Sequence, residues 1–184
     1  VIHNPVRSEF FAPLPDKASR TLHLLFVGSG WRRKGLDRLL LALARLDRTW
    51  HLAVVGTDRH AHWYRHLASR LGIASDITWY GAADPVKAYQ WAHVLVLPAR
   101  YEPSGNVVGE ALASGCFVVV SERTGSKDLL QPDTGVITDC AAETLADALE
   151  TVGRWTSAPV RCRESVAHLT ESYLTAALRG HFLQ

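Results

Sequence analysis

The stretch "LHLLFVGSGWRRKGLDRLLLALARL", residues 22–46, decides the fold class. Its opening, "LHLLFVG", is apolar almost throughout and closes on Gly28, as expected for a strand covered on both faces. Its second half, "GLDRLLLALARL" (35–46), repeats leucine at helical spacing, with Asp37 in the first turn. Working outward, the same rhythm recurs. Apolar runs at 50–56, 76–81, 93–98, 117–122 and 134–138 read as five more strands. Helical periods at 60–72, 84–92, 106–115 and 142–153 lie between or after them, with a helical turn at 126–131. Asp84 before Pro85 is a sound start for the 84–92 helix. A last helix is expected over roughly 160–180. Strands alternating with helices predict an α/β fold: a doubly wound, mainly parallel, six-stranded Rossmann-like sheet.

Residues 1–20 carry three prolines and no period, so they read as a linker. The domain proper is expected over 21–155, with 156–184 as its terminal helix. Apolar residues make up 47% of the chain, enough for a packed core. The net charge of +2 gives no argument for nucleic acid. Cys116, Cys140 and Cys162 are widely spaced and odd in number, which fits reduced thiols in a cytoplasmic protein better than a disulfide framework. The longest apolar runs fall far short of a membrane span. The chain starts at Val1 and lacks methionine, so it reads as part of a longer protein.

In open parallel sheets ligands sit beyond the carboxyl ends of the strands, which directs attention to the loops there. After the first strand comes "GSGWRRKG". Gly28 and Gly30 permit a tight turn and close approach to a ligand, and Arg32, Arg33 and Lys34 place three cations at a helix entrance. Either this is a phosphate clamp or it is a solvated basic loop. Its spacing is not that of a Walker A loop, and Arg33 stands where the dinucleotide fingerprint needs its third glycine.

After the fourth strand comes "ARYEPSGNVVGEALASG", residues 99–115. Ser104, Gly105 and Asn106 sit where a helix begins and offer N–H groups to an anion or hydroxyl. Glu102 and Glu110 flank that entrance with seven residues between them. Carboxylates accept hydrogen bonds from vicinal hydroxyls such as those of ribose or a sugar. An early helical glutamate is also an ordinary capping choice, so the pair alone is ambiguous.

The "EPSGNVVGE" pattern, the following "ALASGCFVVVSE" and the "GSGWRRKGLDRLLLALARL" segment resemble the retaining, nucleotide-sugar-dependent group 1 glycosyltransferases of GT-B fold, nearest to their lipopolysaccharide core glucosyltransferase I branch. The resemblance runs from about Leu22 to Val152. It implies a hexosyl transfer from a nucleotide-diphosphate sugar, a UDP-sugar in this branch, to a saccharide or glycolipid. It assigns Glu110 to the ribose hydroxyls and Glu102 to the donor sugar, and the backbone of Gly105, Asn106, Val107 and Val108 to sugar and diphosphate. Arg33 and Lys34 would neutralise the diphosphate, with no cofactor and no divalent metal, and Gly28, Ser29 and Gly30 would line the clamp. The backbone of Gly81 and Ala82 would face the base. Many members carry arginine where Ser29 stands, which weakens the carry-over to Arg33 relative to Lys34. The family pairs two Rossmann-like domains and binds acceptor in the first. "VIHNPV" resembles the entrance to the second, so this chain is expected to be the donor half, with the acceptor domain missing. The full-length protein would be cytoplasmic, with peripheral contact at the inner face of the membrane.

Other readings compete. A nucleotide-sugar-binding module without transfer, or a sugar-nucleotide epimerase, shares this architecture. A phosphorylase needs a pyridoxal phosphate lysine, and Lys87 and Lys127 have no supporting context. Nucleic-acid binding through Arg32, Arg33, Lys34 and Arg38 lacks interleaved aromatics. His60, His62 and His66 invite a metal reading but read more simply as surface histidines. Trp63, Tyr64, Trp79 and Trp91 are expected in or against the core.

Overall fold

The computed structural model describes residues 3–12, 19–152, 158–170 and Thr175. Its strands are β1 (Leu22–Val27), β2 (Trp50–Val55), β3 (Ile77–Gly81), β4 (Val94–Leu97), β5 (Phe117–Ser121) and β6 (Gly135–Thr138). The helices are α1 (Trp31–Lys34), α2 (Leu36–Leu43), α3 (Ala61–Arg70), α4 (Val86–Trp91), α5 (Asn106–Ala113), α6 (Ala142–Val152) and α7 (Ala158–Ser165). All six strands are parallel, in the order β3-β2-β1-β4-β5-β6. The expected doubly wound sheet is therefore present, and its order reverses direction between β1 and β4.

The central strands are apolar because both faces are covered. Leu24, Leu25 and Phe26 of β1 and Leu95 and Val96 of β4 are fully buried. Each such side chain contributes about 1.5–3 kcal/mol relative to an exposed position. One helical layer holds α2 against α3 and α6; the other holds α5 against α7.

Three departures from the sequence reading have physical causes. The helix expected from Gly35 is preceded by a separate turn, α1, inside the basic loop. Gly35 divides the two at φ 80°, and a Cβ there would lie 2.0 Å from the Pro98 carbonyl oxygen. Only glycine lets the β1 and β4 loops touch so closely. The terminal helix expected over 160–180 is not continuous. It stops at Ser165, whose hydroxyl donates to the Cys162 carbonyl (2.8 Å), and gives way to a short 3₁₀ turn at Ala167–Leu169. Cys162, Val166 and Leu169 carry a buried stripe across that break, and the rest of the expected helix lies outside the described residues apart from Thr175.

The third departure concerns the leading segment. It supplies Val6 and Phe10 to the core, each at most 4% exposed. Phe10 packs edge-on against Tyr89 (centroids 5.3 Å), and the Val6 N–H donates to the Leu169 carbonyl (2.8 Å).

Candidate active site

The sheet order reverses between β1 and β4, the place where open parallel sheets carry their ligand crevice, and there the loops after the two strands meet: the Arg100 N–H donates to the Arg33 carbonyl (2.8 Å). The β1 loop turns on Gly28 (φ 121°). A Cβ there would lie 2.6 Å from Lys34 Cε, so the lysine lies across the glycine. Trp31 anchors the loop: its ring is 2% exposed and its Nε1 donates to the Gly28 carbonyl (3.0 Å). Its backbone N–H donates to Asp58 Oδ2 (2.8 Å), tying the loop to the end of β2. That anchoring sets where the next turn delivers its cations.

Lys34 is only 7% exposed and Glu102 only 6%. Lys34 Nζ lies 2.9 Å from Glu102 Oε2, and Arg33 Nη1 lies 3.0 Å from the same oxygen. Arg33 also donates to the Tyr101 carbonyl (2.9 Å). Burial alone would push the Glu102 carboxyl up. The hydrogen bond and charge of Lys34, reinforced by Arg33, outweigh burial and hold it below its usual range. The backbone of Glu102 is fixed as well: its N–H donates to the Arg123 carbonyl (3.1 Å) and its carbonyl accepts from Gly125 N–H (2.8 Å). The loop after β5 thus clamps the loop after β4.

The second carboxylate is built differently. Glu110 sits on α5, partly buried, and accepts a hydrogen bond from the hydroxyl of fully buried Tyr89 (2.9 Å). Burial raises its carboxyl above the ordinary range against the pull of Tyr89, Arg7 and Lys34. Lys34 therefore acts on both glutamates. At the start of α5, Gly105 adopts φ 58°, and its carbonyl accepts from the Ser126 hydroxyl (2.8 Å). A Cβ at Gly105 would meet that hydroxyl oxygen at 2.3 Å. At the first turn of α5 the Val108 N–H donates to the Gly105 carbonyl (2.8 Å), and the N–H groups of Asn106 and Val107 precede the first such bond. They border a cleft of about 210 Å³ lined by Asn4, Arg7, Ser104, Asn106, Glu110 and Ser126.

The structure brings Arg33, Lys34 and Glu102 into direct contact, and it places Glu110 with Ser104, Gly105 and Asn106 along the cleft at the start of α5, which Arg33, Lys34 and Glu102 do not line. Val108 departs from the expectation: it is fully buried and its N–H already donates to the Gly105 carbonyl (2.8 Å), which takes it out of the set of open donors. Gly81 and Ala82 lie at the end of β3, two strands from the crevice. They connect to it by a glycine shelf: Gly56 N–H donates to the Gly81 carbonyl (2.7 Å), and a Cβ on Gly56 would lie 2.3 Å from the Gly28 carbonyl oxygen. Ser29 is exposed on the same shelf. Arg32 is exposed and turned to a different hollow, away from the glutamates.

The sequence profile of the family "Glycosyl transferases group 1" matches residues 21–153. The chain belongs to the group 1 glycosyltransferases. It is 36% identical over 107 residues to the lipopolysaccharide glucosyltransferase WaaG of Escherichia coli K12, covering 55% of this chain and 28% of that protein. A crystal structure of WaaG superposes with TM-score 0.75 at 24% identity, covering 90% of this chain and 50% of that one. Anabaena HepE, solved with UDP and glucose, superposes with TM-score 0.78 at 18% identity, covering 89% of this chain and 48% of that one. The chain thus spans under a third of WaaG by sequence and about half of each solved chain.

Four features of this glycosyltransferase chain escaped the sequence reading. Tyr89 lies 21 residues from Glu110 and only the fold joins them. The Thr124–Ser126 loop, whose last residue opens the helical turn read at 126–131, carries no motif that marks its contacts with Glu102 and Gly105. Asn4 reaches across 102 residues to donate to Asn106 Oδ1 (2.9 Å). Arg100, next to the crevice loop, forms a two-pronged pair with Asp37 (2.7 and 2.6 Å), and its place two residues before Glu102 was the available signal. Trp63 differs from expectation: it is 49% exposed, whereas Tyr64, Trp79 and Trp91 pack in or against the core. His60, His62 and His66 are all exposed.

Proposed function

We propose that this chain is the donor-binding half of an enzyme that transfers a hexosyl group from a UDP-sugar to a saccharide or glycolipid acceptor with retention of configuration. The observation that carries the reading is the buried Lys34–Glu102 contact at the point where the sheet order reverses, with Glu110 on the adjoining helix. A nucleotide diphosphate needs positive charge where the sugar leaves. Lys34 and Arg33 supply it from the β1 loop, and a preorganised charge in a water-poor crevice stabilises the developing negative charge. In this reading the two cations exchange part of their contact with Glu102 for the diphosphate. Glu102 then turns an acceptor oxygen to a sugar hydroxyl. Glu110, oriented by Tyr89, accepts from the ribose hydroxyls, and the glycine shelf ending at Gly81 and Ala82 carries the base. Transfer proceeds without a divalent ion, the arginine and lysine taking that part.

HepE holds UDP and glucose on a superposable fold, which supports the choice of UDP. No helix among the described residues is long and apolar enough to cross a membrane. In this reading a glycolipid acceptor is reached by peripheral contact of the full-length protein with the inner face of the membrane.

Calorimetric titration of the chain with UDP, GDP, ADP and their sugars, with and without a chelator, tests the reading. UDP and UDP-hexose are expected to bind weakly, equally well in both conditions. Absence of binding by any nucleotide diphosphate at millimolar concentration would refute the site.

A further inference from the structure

A second hollow lies near the crevice, larger than the cleft that Glu110 lines. It measures about 770 Å³ and lies between α1, the start of α2 and the joint before α3. Neither Lys34 nor Glu102 nor Glu110 lines it. Its size is that of a small-molecule site.

Its charge is unbalanced. Asp37 is engaged by Arg100, and the two oxygens of Asp58 accept the backbone N–H groups of Trp31 and His60 (2.8 Å each). Arg32 and Arg59 line the hollow and form no ion pair among the described residues. Arg59 Nε donates to His60 Nε2 (2.9 Å), which leaves its terminal amino groups for a ligand. Tyr64 forms part of the wall. It is only 4% exposed and its hydroxyl makes no hydrogen bond among the described residues; since no buried side-chain polar atom among them lacks a partner, that oxygen is the part of Tyr64 open to the hollow. Burial, with Asp37 and Asp58 nearby, pushes that phenol up to about 12, so it stays a donor. Beside it Trp63 presents a ring that is 49% exposed.

Arginine forks suit a phosphate, a flat aromatic face suits the C–H face of a pyranose, and a lone hydroxyl suits a ring oxygen or hydroxyl. We infer that this hollow binds a phosphorylated saccharide. Arg33 joins it to the crevice, because its side chain lines the hollow while its Nη1 contacts Glu102. A sugar held there lies one arginine away from the donor-side carboxylate, the position of an acceptor anchored by its phosphate. That role in transfer rests on the reading proposed above; the binding itself does not.

The test titrates the chain with glucose 6-phosphate, glucose and inorganic phosphate, by calorimetry and by the Trp63 indole resonance, assigned through Trp63→Phe. Glucose 6-phosphate is expected to bind more tightly than either other probe and to shift that resonance, also when UDP is saturating. Arg59→Ala combined with Tyr64→Phe is expected to weaken it about tenfold or more while UDP binding is unchanged. The Phe substitution keeps the ring that packs on Trp31, and unchanged melting of the variant confirms folding. Equal affinity for inorganic phosphate, displacement by UDP, or no effect of the double variant would overturn the inference. Binding of glucose 6-phosphate without any binding of UDP would sustain it and refute the donor reading instead.

Discussion

Replacing Lys34 by methionine isolates the buried contact at the centre of the site. The side chains of Lys34 and Glu102 are 9% and 8% exposed, so neither is screened by bulk water. Removing one partner of a buried pair costs about 3–5 kcal/mol when the other charge is left alone. Here Arg33 remains on the same Glu102 oxygen at 3.0 Å, but its side chain is 45% exposed and solvent weakens its hold. The expected loss at pH 7 is therefore about 2–3 kcal/mol, below the full range for an abandoned charge. For a chain of this size that lowers Tm by about 4–12 °C. The pH dependence separates this cause from lost packing. In the wild type Glu102 titrates below its ordinary 4.5, so its contribution is present above that pH and is lost as acid protonates the folded carboxylate. In the variant burial dominates and the folded carboxyl titrates above its unfolded value. Acid then neutralises the stranded charge and recovers stability. Thermal melts from pH 7 to pH 4 should show the gap between the two proteins narrowing. A gap that stays constant over this range, or a variant as stable as wild type at pH 7, would refute the assignment of Lys34 as the principal partner of Glu102.

Glu110→Ala should weaken UDP binding by about 1.5–3 kcal/mol, the loss of a charged hydrogen bond, while Glu102→Ala spares free UDP and affects the sugar-bearing donor. Equal losses for UDP in calorimetry would contradict the division. Gly105→Ala places a side chain at φ 58° and 2.3 Å from Ser126 Oγ, so melting should reveal a loss of at least about 1–2 kcal/mol, partly relieved by adding Ser126→Gly. At the far end of the sheet His23 stacks between Trp91 (4.2 Å) and His93 (4.7 Å). Burial, then the charges of His93 and His51, lowers its pKa, so the unfolded chain binds a proton that the folded one refuses. Stability should fall as pH drops below 6.5 and level off below the folded pKa, and melts of His23→Phe should flatten that slope. The isolated chain should bind donor but transfer no sugar in a multiple-turnover assay, because in the donor-half reading the other domain orients the attacking hydroxyl, which a phosphate anchor in the hollow does not do by itself; transfer at a rate near that of the full-length enzyme would contradict this.

The strands and most helices were legible because two-sided burial forces continuous apolar runs, and "LHLLFV" or "FVVVS" has no other stable use in a parallel sheet. The positions of Lys34, Glu102 and Glu110 beyond the carboxyl ends of β1 and β4 were legible because each follows its strand closely in sequence; the roles given to them belong to the proposal. What stayed hidden was set by contacts between distant segments. The α1 turn was read as loop because its only apolar residue, Trp31, buries against Tyr64 of α3 and Trp79 of β3, which the local period does not reveal. The terminal helix was read as continuous because its buried stripe keeps helical spacing across a break made by one serine hydroxyl.

The same distinction explains why the site reads more simply in sequence than it is built. The motif names two carboxylates but not what holds them. Glu102 is fixed by the loop after β5, through Arg123 and Gly125, as firmly as by Lys34. Glu110 is fixed by Tyr89, which in turn packs under Phe10 of the leading segment. Asn4 from that segment reaches Asn106 at the start of α5. The residues that precede the sheet therefore touch the same helix that carries Glu110. A displacement of that segment would act on Tyr89 through Phe10 and on α5 through Asn4, and so on the orientation of Glu110, before any ligand arrives.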